Sequence, residues 1–468
     1  MLLQLRVQGF KSLRDTTIRF GPLTCFVGHN GVGKSNIFDA IQFLKLLADH
    51  PIQDAAARVR KPLVGAHEPL DLFFDRDPRG TIRMEADLLV PRSVLDDFKR
   101  EAAAAATLLR YVVSFRYQHD PVPRLELVEE ELGYHKLGAA KELLGFPSAA
   151  EFRTSTLAAT RRGEKFISTS ATDTGGQLEI KLHQDGGSRG QPFAPGASPR
   201  TVLGGTNTID YPTVLAARRE MSSWRFLQLE PSAMRSPDAD DGQRGISEHG
   251  GGIAATLHAL AARPAADDAP DVLAQAVNDL RRLNEHVEAL RVDRDRARNQ
   301  LVLQARTAGI DGWLGPRALS DGTLRFLALV VLHLDPEAKG VIALEEPENG
   351  IHPTRVPALV DLLRSMAVDP RYPVDEDNPL RQVILNTHSP DVVRQLARDE
   401  VLWVDRVTGP DSARVSVRAL AATWRAPGER LGADTTIPDG VVTSFIGGSM
   451  PRESWLESRL PLAFGTAV

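Results

Sequence analysis

Cysteine is nearly missing from this sequence: Cys25 is the single one among 468 residues, so no intramolecular disulfide can form. Long apolar runs are missing as well. Stretches such as Phe326 to Leu334 fall well short of the roughly 20 residues a membrane helix needs, and no membrane partner is expected. A surplus of positive charge is also lacking, since the formal net charge is −5; any contact with phosphate backbones must come from a local patch. The candidates are Arg218, Arg219 and Arg225, and the run Arg291, Arg294, Arg296 and Arg298, which equally suit solvated helix faces and strand edges. No Cys/His cluster has zinc spacing, and no period of about 20 to 50 residues repeats. The opening Met-Leu-Leu-Gln-Leu-Arg-Val turns polar too early for a secretory signal, and with the lone cysteine it makes a reducing cytoplasm the expected compartment. What remains is a globular chain, 42% hydrophobic and 25% charged, long enough for a large core and two or three structural units.

The hydrophobic pattern changes along the chain. Leu2 to Val7, Thr16 to Phe20 and Leu23 to Val27 read as strands. Ile37, Ala40, Ile41, Leu44 and Leu47 then recur at helical spacing until Pro51. Thr81 to Val90, Tyr111 to Tyr117 and Arg124 to Leu132 again look like strands, with an alanine-rich helix expected over Ser93 to Leu109. Residues 76–210 are therefore read as an inserted, mostly β arm. Within it, 170–208 is rich in Gly, Ser, Pro and Thr and predicts mobile loops around one short strand, Gln177 to His183. Helices expected over Ile253 to Ala262 and Val272 to Leu290 make 211–300 a helical lobe. From Leu301 to Val407 helices alternate with strands, which implies a largely parallel sheet. Residues 1–75 and 301–422 are the two halves of that α/β unit, and 423–468 is a tail with no assigned role.

Gly28-His29-Asn30-Gly31-Val32-Gly33-Lys34-Ser35 fits G-x-x-x-x-G-K-[ST] and sits after an apolar strand and before an amphipathic helix. Glycines let the backbone N–H groups curl around phosphates, and the helix N-terminus adds positive potential. Lys34 is expected to neutralise phosphate charge and Ser35 to ligate Mg²⁺. Val341 to Leu344 is an apolar strand that ends in Glu345 and Glu346 at the edge where open α/β sheets bind ligands. Neighbouring strand residues point to opposite sides, so the two acids can differ in role: Glu345 would hold the metal through water and Glu346 would polarise the attacking water. Ser320 caps the helix that starts after Leu319-Ser320-Asp321-Gly322-Thr323, and His388 ends a later strand as a candidate γ-phosphate sensor.

These segments, with Glu345-Glu346-Pro347-Glu348-Asn349-Gly350-Ile351-His352-Pro353 and Thr387-His388-Ser389-Pro390 in that order, resemble the ABC-type ATPases of the SMC and RecF kind. More narrowly, the chain resembles the stand-alone bacterial predicted ATPases of the AAA family, whose relatives include ATPase subunits of anti-phage systems; Val7-Gln8-Gly9-Phe10-Lys11-Ser12-Leu13 also fits that group. The resemblance implies an α/β fold: a two-lobed P-loop ATPase head, with a mixed sheet and a largely parallel sheet, carrying an inserted β-rich arm and a helical segment. It implies ATP and Mg²⁺ as cofactors, with Lys11, Asn30, Gly31, Gly33, Lys34, Ser35 and Asn36 on the nucleotide, Ser35 and Glu345 at the metal, and Glu346 and His388 in catalysis. It also implies a homodimer or higher homo-oligomer, in which Ser320 and Gly322 touch a γ-phosphate held by the other copy, and Gly350 and His352 lie where the two sites meet. Glu345 stands where many relatives have Asp, and Ser-Asp-Gly-Thr replaces Ser-Gly-Gly-Gln. The usual metal-sensing glutamine has no clear place; Gln53 is the one candidate.

The long interval between Lys34 and Ser320 holds no heptads, so a chromosome-tethering coiled coil is not expected. The stretch after Val407 is short for the metal-dependent nuclease domain of OLD-type relatives, and an effector, if there is one, is expected on another chain. Three readings stay open: a nucleotide-driven dimerisation switch in anti-phage defence with a separate effector protein, a RecF-like DNA-binding ATPase of repair or maintenance, and an ATP-sensing scaffold without turnover.

Overall fold

The computed structural model describes residues 1–59, 68–160, 165–171, 178–186, 190–242, 244–263, 271–408, 413–426 and 436–448. Two sheets organise them. One has eight strands in the spatial order 190–193, 178–183, 165–171, 124–134, 108–118, 81–89, 2–10 and 13–19, joined antiparallel. The other has seven, in the order 225–227, 340–345, 381–387, 23–27, 401–408, 413–420 and 436–437, and its first five are parallel. The fold is thus α/β, with a mixed architecture of one antiparallel and one largely parallel sheet, as expected for a P-loop ATPase head. The strands of the expected arm do not form a separate body: Thr81–Leu89 pairs with Leu2–Phe10 and continues its sheet.

The helix Lys34–Asp49 lies between the sheets and is apolar on both flanks. Phe43 stacks on Phe10 (5.9 Å between ring centroids) and tilts against Phe115 (5.6 Å), both of the antiparallel sheet, while Phe38 meets Phe26 of the parallel sheet edge-on. Strand alternation divides the cores cleanly. Phe26, Val341, Ala343 and Ile384 face the core around this helix, and Cys25, Val27, Ile342, Leu344, Val383 and Leu385 face a second core built on the buried helix Asp321–Leu334. One amide ties the two sheets together: Gln382 accepts from Leu2 N–H (2.9 Å) and donates to the carbonyls of Leu2 and Gly21 (both 2.8 Å). Among the described residues no helix is long and apolar enough to cross a membrane.

Four local expectations are corrected. The alanine-rich stretch after Ser93 is a hairpin of Ser93–Leu95 and Glu101–Ala103. The Asp96 carboxylate accepts from the N–H groups of Phe98 and Arg100 (2.9 Å each) and closes a turn that outweighs alanine's helix propensity. The helix begun at Val272 stops at Arg281. Asn284 turns the chain by accepting from His286 N–H (3.2 Å), and Val287–Asp295 pairs with Gln300–Thr307 in a small sheet, so the segment read as a helical lobe also holds strands. The Gly/Ser-rich region 170–208 holds the expected short strand, as Leu178–His183, but also Gly190–Phe193 and the end of Lys165–Ala171; Gln177, expected to open the first, lies outside the described residues. The tail forms a helix, Asp439–Ile446.

Candidate functional site

Leu23–Val27 is wholly buried between Arg381–Thr387 and Val401–Thr408, and the phosphate loop leaves its C-terminal end. Asn30 and Gly31 are exposed at the tip of the loop. Gly33 closes it at φ 105°, and a Cβ there would lie 2.3 Å from Val415 Cγ2, so both backbone and packing demand glycine. Lys34 is the first residue of the following helix and is buried. Its ammonium donates to the loop's own carbonyls, Gly28 O (2.6 Å) and His29 O (2.9 Å). Burial lowers its pKa, while Glu346, Cys25 and Glu348 act in the opposite sense, which places those acids within electrostatic reach. The Ser35 hydroxyl, in the helix's first turn, has no hydrogen-bond partner among the described residues. Lys11 and Asn36 hold the loop's flank: Lys11 Nζ pairs with Asp39 (2.7 Å), and Asn36 Nδ2 donates to Ser12 Oγ (2.5 Å).

The strand Gly340–Glu345 carries the acids. By its alternation Glu345 falls on the side of the phosphate-loop helix. Glu346 leaves the strand at φ 45°, a left-handed conformation that non-glycine residues rarely hold without support. The support is visible. Its N–H donates to Asn386 O (3.2 Å) and Oδ1 (3.1 Å), Asn349 Nδ2 donates to its Oε2 (3.0 Å), and His388 Nδ1 lies 2.9 Å from its Oε1. Glu348 is buried beside it, accepts from the Thr387 hydroxyl, and has a second oxygen with no hydrogen-bond partner among the described residues; burial raises its pKa. Thr387 Oγ1 in turn accepts from Ser389 N–H (2.9 Å). The end of the strand Arg381–Thr387 therefore braces both acids.

Ser320 caps the helix Asp321–Leu334, its Oγ accepting from Thr323 N–H (3.2 Å). A Cβ on Gly322 would lie 2.4 Å from the Gly350 carbonyl oxygen, so the two glycines touch through backbone. Ser320 and Gly322 line a cleft with Gly350, Ile351 and His352 that includes no residue of the phosphate loop. The structure thus unites Lys34, Glu345, Glu346 and His388 at one sheet edge and sets Ser320 and Gly322 beside the Gly350 loop.

Gln53 belongs elsewhere. Its side-chain amide donates to Leu125 O (2.7 Å) and accepts from Leu125 N–H (3.0 Å), so it holds the antiparallel sheet and is withdrawn as the metal-sensing glutamine. Sequence reasoning missed the braces Asn349, Asn386 and Glu348, although Asn349 and Glu348 lie inside a quoted motif and Asn386 directly precedes another. It also missed the tail helix, whose Phe445 meets His29 of the phosphate loop (5.8 Å between centroids) and Trp403 (5.4 Å) edge-on; the spacing of Val441, Val442, Phe445 and Ile446 was the available signal.

Two family models match separate stretches of the chain: "AAA ATPase domain" over residues 1–88 and "AAA domain, putative AbiEii toxin, Type IV TA system" over residues 205–394. Two curated relatives, each named "DNA replication and repair protein RecF" and from two strains of Porphyromonas gingivalis, are 42% identical over 48 residues, 10% of this chain. The match spans 13% of the length of those relatives. Similar solved structures include an SmcHead bound to the C-winged helix domain of ScpA (14% identity, TM-score 0.43, covering 90% of this chain and 98% of that one). Another is the SMC head domain from Thermotoga maritima (13%, TM-score 0.36, covering 88% and 97%). The matched segments bracket the order of motifs read from the sequence, and over them the chain is similar to AAA ATPase domains and, in one short stretch, to RecF.

Proposed function

We propose that the chain binds ATP with Mg²⁺, hydrolyses it, and uses the cycle to close and reopen a homodimer. The observation that carries this reading is Glu346: a strained acid fixed by Asn349 and facing His388, within electrostatic reach of the buried loop lysine. Such an acid suits a general base that accepts a proton from water. Lys34 would exchange its two loop carbonyls for phosphate oxygens, and the free Ser35 hydroxyl with Glu345 would hold Mg²⁺, which supplies charge neutralisation at the phosphates. The cleft of Ser320 and Gly322 excludes the chain's own phosphate loop, which suits a γ-phosphate presented by a second copy.

The test is Glu346→Gln. Loss of a general base slows turnover about 10²- to 10⁴-fold, so the variant should accumulate as an ATP-bound dimer in light scattering. A variant that binds ATP and stays monomeric at every concentration would sink the switch.

A role for this switch in anti-phage defence, with its effector on another chain, rests on the family description that names an AbiEii toxin. The second reading, a DNA-dependent ATPase, rests on the RecF match over the first motifs. It requires stimulation of phosphate release by DNA and binding that weakens steeply with salt; absence of both leaves the first reading. A scaffold without turnover would form ATP-dependent dimers that release no phosphate.

A further inference from the structure

The helix Lys34–Asp49 has 16 residues, about 24 Å at 1.5 Å per residue, and its far half forms one wall of a second concavity. This cleft, of about 760 Å³, is closed by the strand Arg225–Leu227 and by the segments 238–242 and 244–252. Lys45, Arg58, Arg225 and Arg244 line it.

Cations near a helix C-terminus commonly serve its open carbonyls, and two here do so: Arg200 donates to Asp49 O and Arg218 to Ala48 O (2.9 Å each). Arg58 and Arg244 do not. Among the described residues neither has a hydrogen bond or an acidic partner, and both are exposed. Lys45 pairs with Asp49 (3.3 Å), which also accepts from Ser222 (2.6 Å). Of the acids in the lining, Asp238 is occupied by the N–H groups of Gly252 (2.8 Å) and Ala255 (3.0 Å), leaving Glu248. The His50 ring lies in the resulting field: burial lowers its pKa first and Arg58 next, while Asp49 acts against them and Lys45 and Arg200 add to the lowering. Like charges gathered around one concavity repel unless an anion enters between them.

The shape narrows the anion. The volume falls in the range of small-ligand pockets, roughly 300–1,000 Å³. Single-stranded nucleic acid docks by stacking bases on exposed rings, but Trp224 in the lining is 1% exposed and Phe226 packs against the core. Recognition therefore falls to the guanidiniums, which suit phosphate.

We propose that this cleft is a second anion site, apart from the phosphate loop, for a small ligand bearing two or more phosphate groups. The test uses the full chain with Lys34→Ala, which disables the loop, and inorganic tripolyphosphate in isothermal titration. One site should remain, and Arg58→Gln with Arg244→Gln should weaken it about tenfold or more with an unchanged melting curve, since both residues are exposed. No heat in the Lys34→Ala protein, or binding indifferent to the two glutamines, overturns the site. Tighter binding of a single-stranded oligonucleotide than of tripolyphosphate, lost with the same two substitutions, overturns the small ligand in favour of nucleic acid.

Discussion

His388 Nδ1 stands 2.9 Å from Oε1 of Glu346, and this contact joins the ends of two neighbouring parallel strands. It also presses on the one acid of the site whose backbone is in the left-handed region (φ 45°). A side chain held so is oriented before substrate arrives, which is what a general base needs.

His388→Ala should therefore slow phosphate release about 10²-fold while ATP binding changes little, because Lys34 and the loop are untouched. Steady-state kinetics with a separate nucleotide-binding titration distinguish the cases. Equal losses in kcat and in affinity would mean that the histidine holds the nucleotide instead of the base.

Gly322 and Gly350 touch through backbone, with a virtual Cβ 2.4 Å from the carbonyl. Gly322→Ala must push the serine-capped helix and the Gly350 loop apart, for a local cost of about 1–3 kcal/mol. ATP should still bind each monomer with unchanged affinity, whereas the ATP-dependent dimer should be lost in sedimentation. Retention of that dimer would separate the serine cap from the assembly surface.

Glu130 lies at the centre of the antiparallel sheet, fully buried, accepting from Val202 N–H (2.6 Å), Leu203 N–H (2.8 Å) and Tyr111 OH (3.2 Å). Burial outweighs those donors and raises its pKa from 4.5 to about 7. An acid whose folded pKa is raised favours the fold while protonated. Its contribution is present below the unfolded value and is lost as pH rises through about 7. The amount is roughly 3 kcal/mol. Urea unfolding at several pH values should show wild type losing about that much more than Glu130→Gln between pH 4.5 and 7.5. Parallel curves would show that the carboxyl is ionised in the fold throughout.

Much of this site could be read from residue order. Lys34, Glu345, Glu346 and His388 each follow a buried apolar strand, and the chain's register then leaves no choice about which sheet edge they share. What escaped was set by particular side-chain contacts, some local and some distant, that propensity and periodicity do not register. Nothing local to Ala102 or Ala103 forbids a helix; Asp96 decides by capturing two amides of its own turn. Nothing local to Gln53 shows that its partner is Leu125, a residue brought beside it only when the antiparallel sheet assembles. The strain at Glu346 is likewise invisible in composition, because Asn386 and Asn349 impose it from outside.

Arg381 offers the most direct measure of how the serine-capped helix is tied to the carboxylate strand. It is 2% exposed, and its guanidinium donates to Ala338 O (2.5 Å), Asp335 O (2.9 Å) and His333 O (3.2 Å), the carbonyls at and just beyond the end of the helix Asp321–Leu334. Burial lowers its pKa to about 10, so it is charged at neutral pH. Arg381→Met keeps much of the volume and takes the guanidinium from three carbonyls, of which Asp335 O keeps the Ala338 N–H (3.0 Å), for a loss of about 3–5 kcal/mol. The denaturation midpoint should fall with an unchanged m-value, and Arg381→Lys should restore only part of the loss, because an ammonium cannot span the three carbonyls as a planar fork does. Full rescue by lysine would show that charge alone, and not the geometry of the fork, secures the junction.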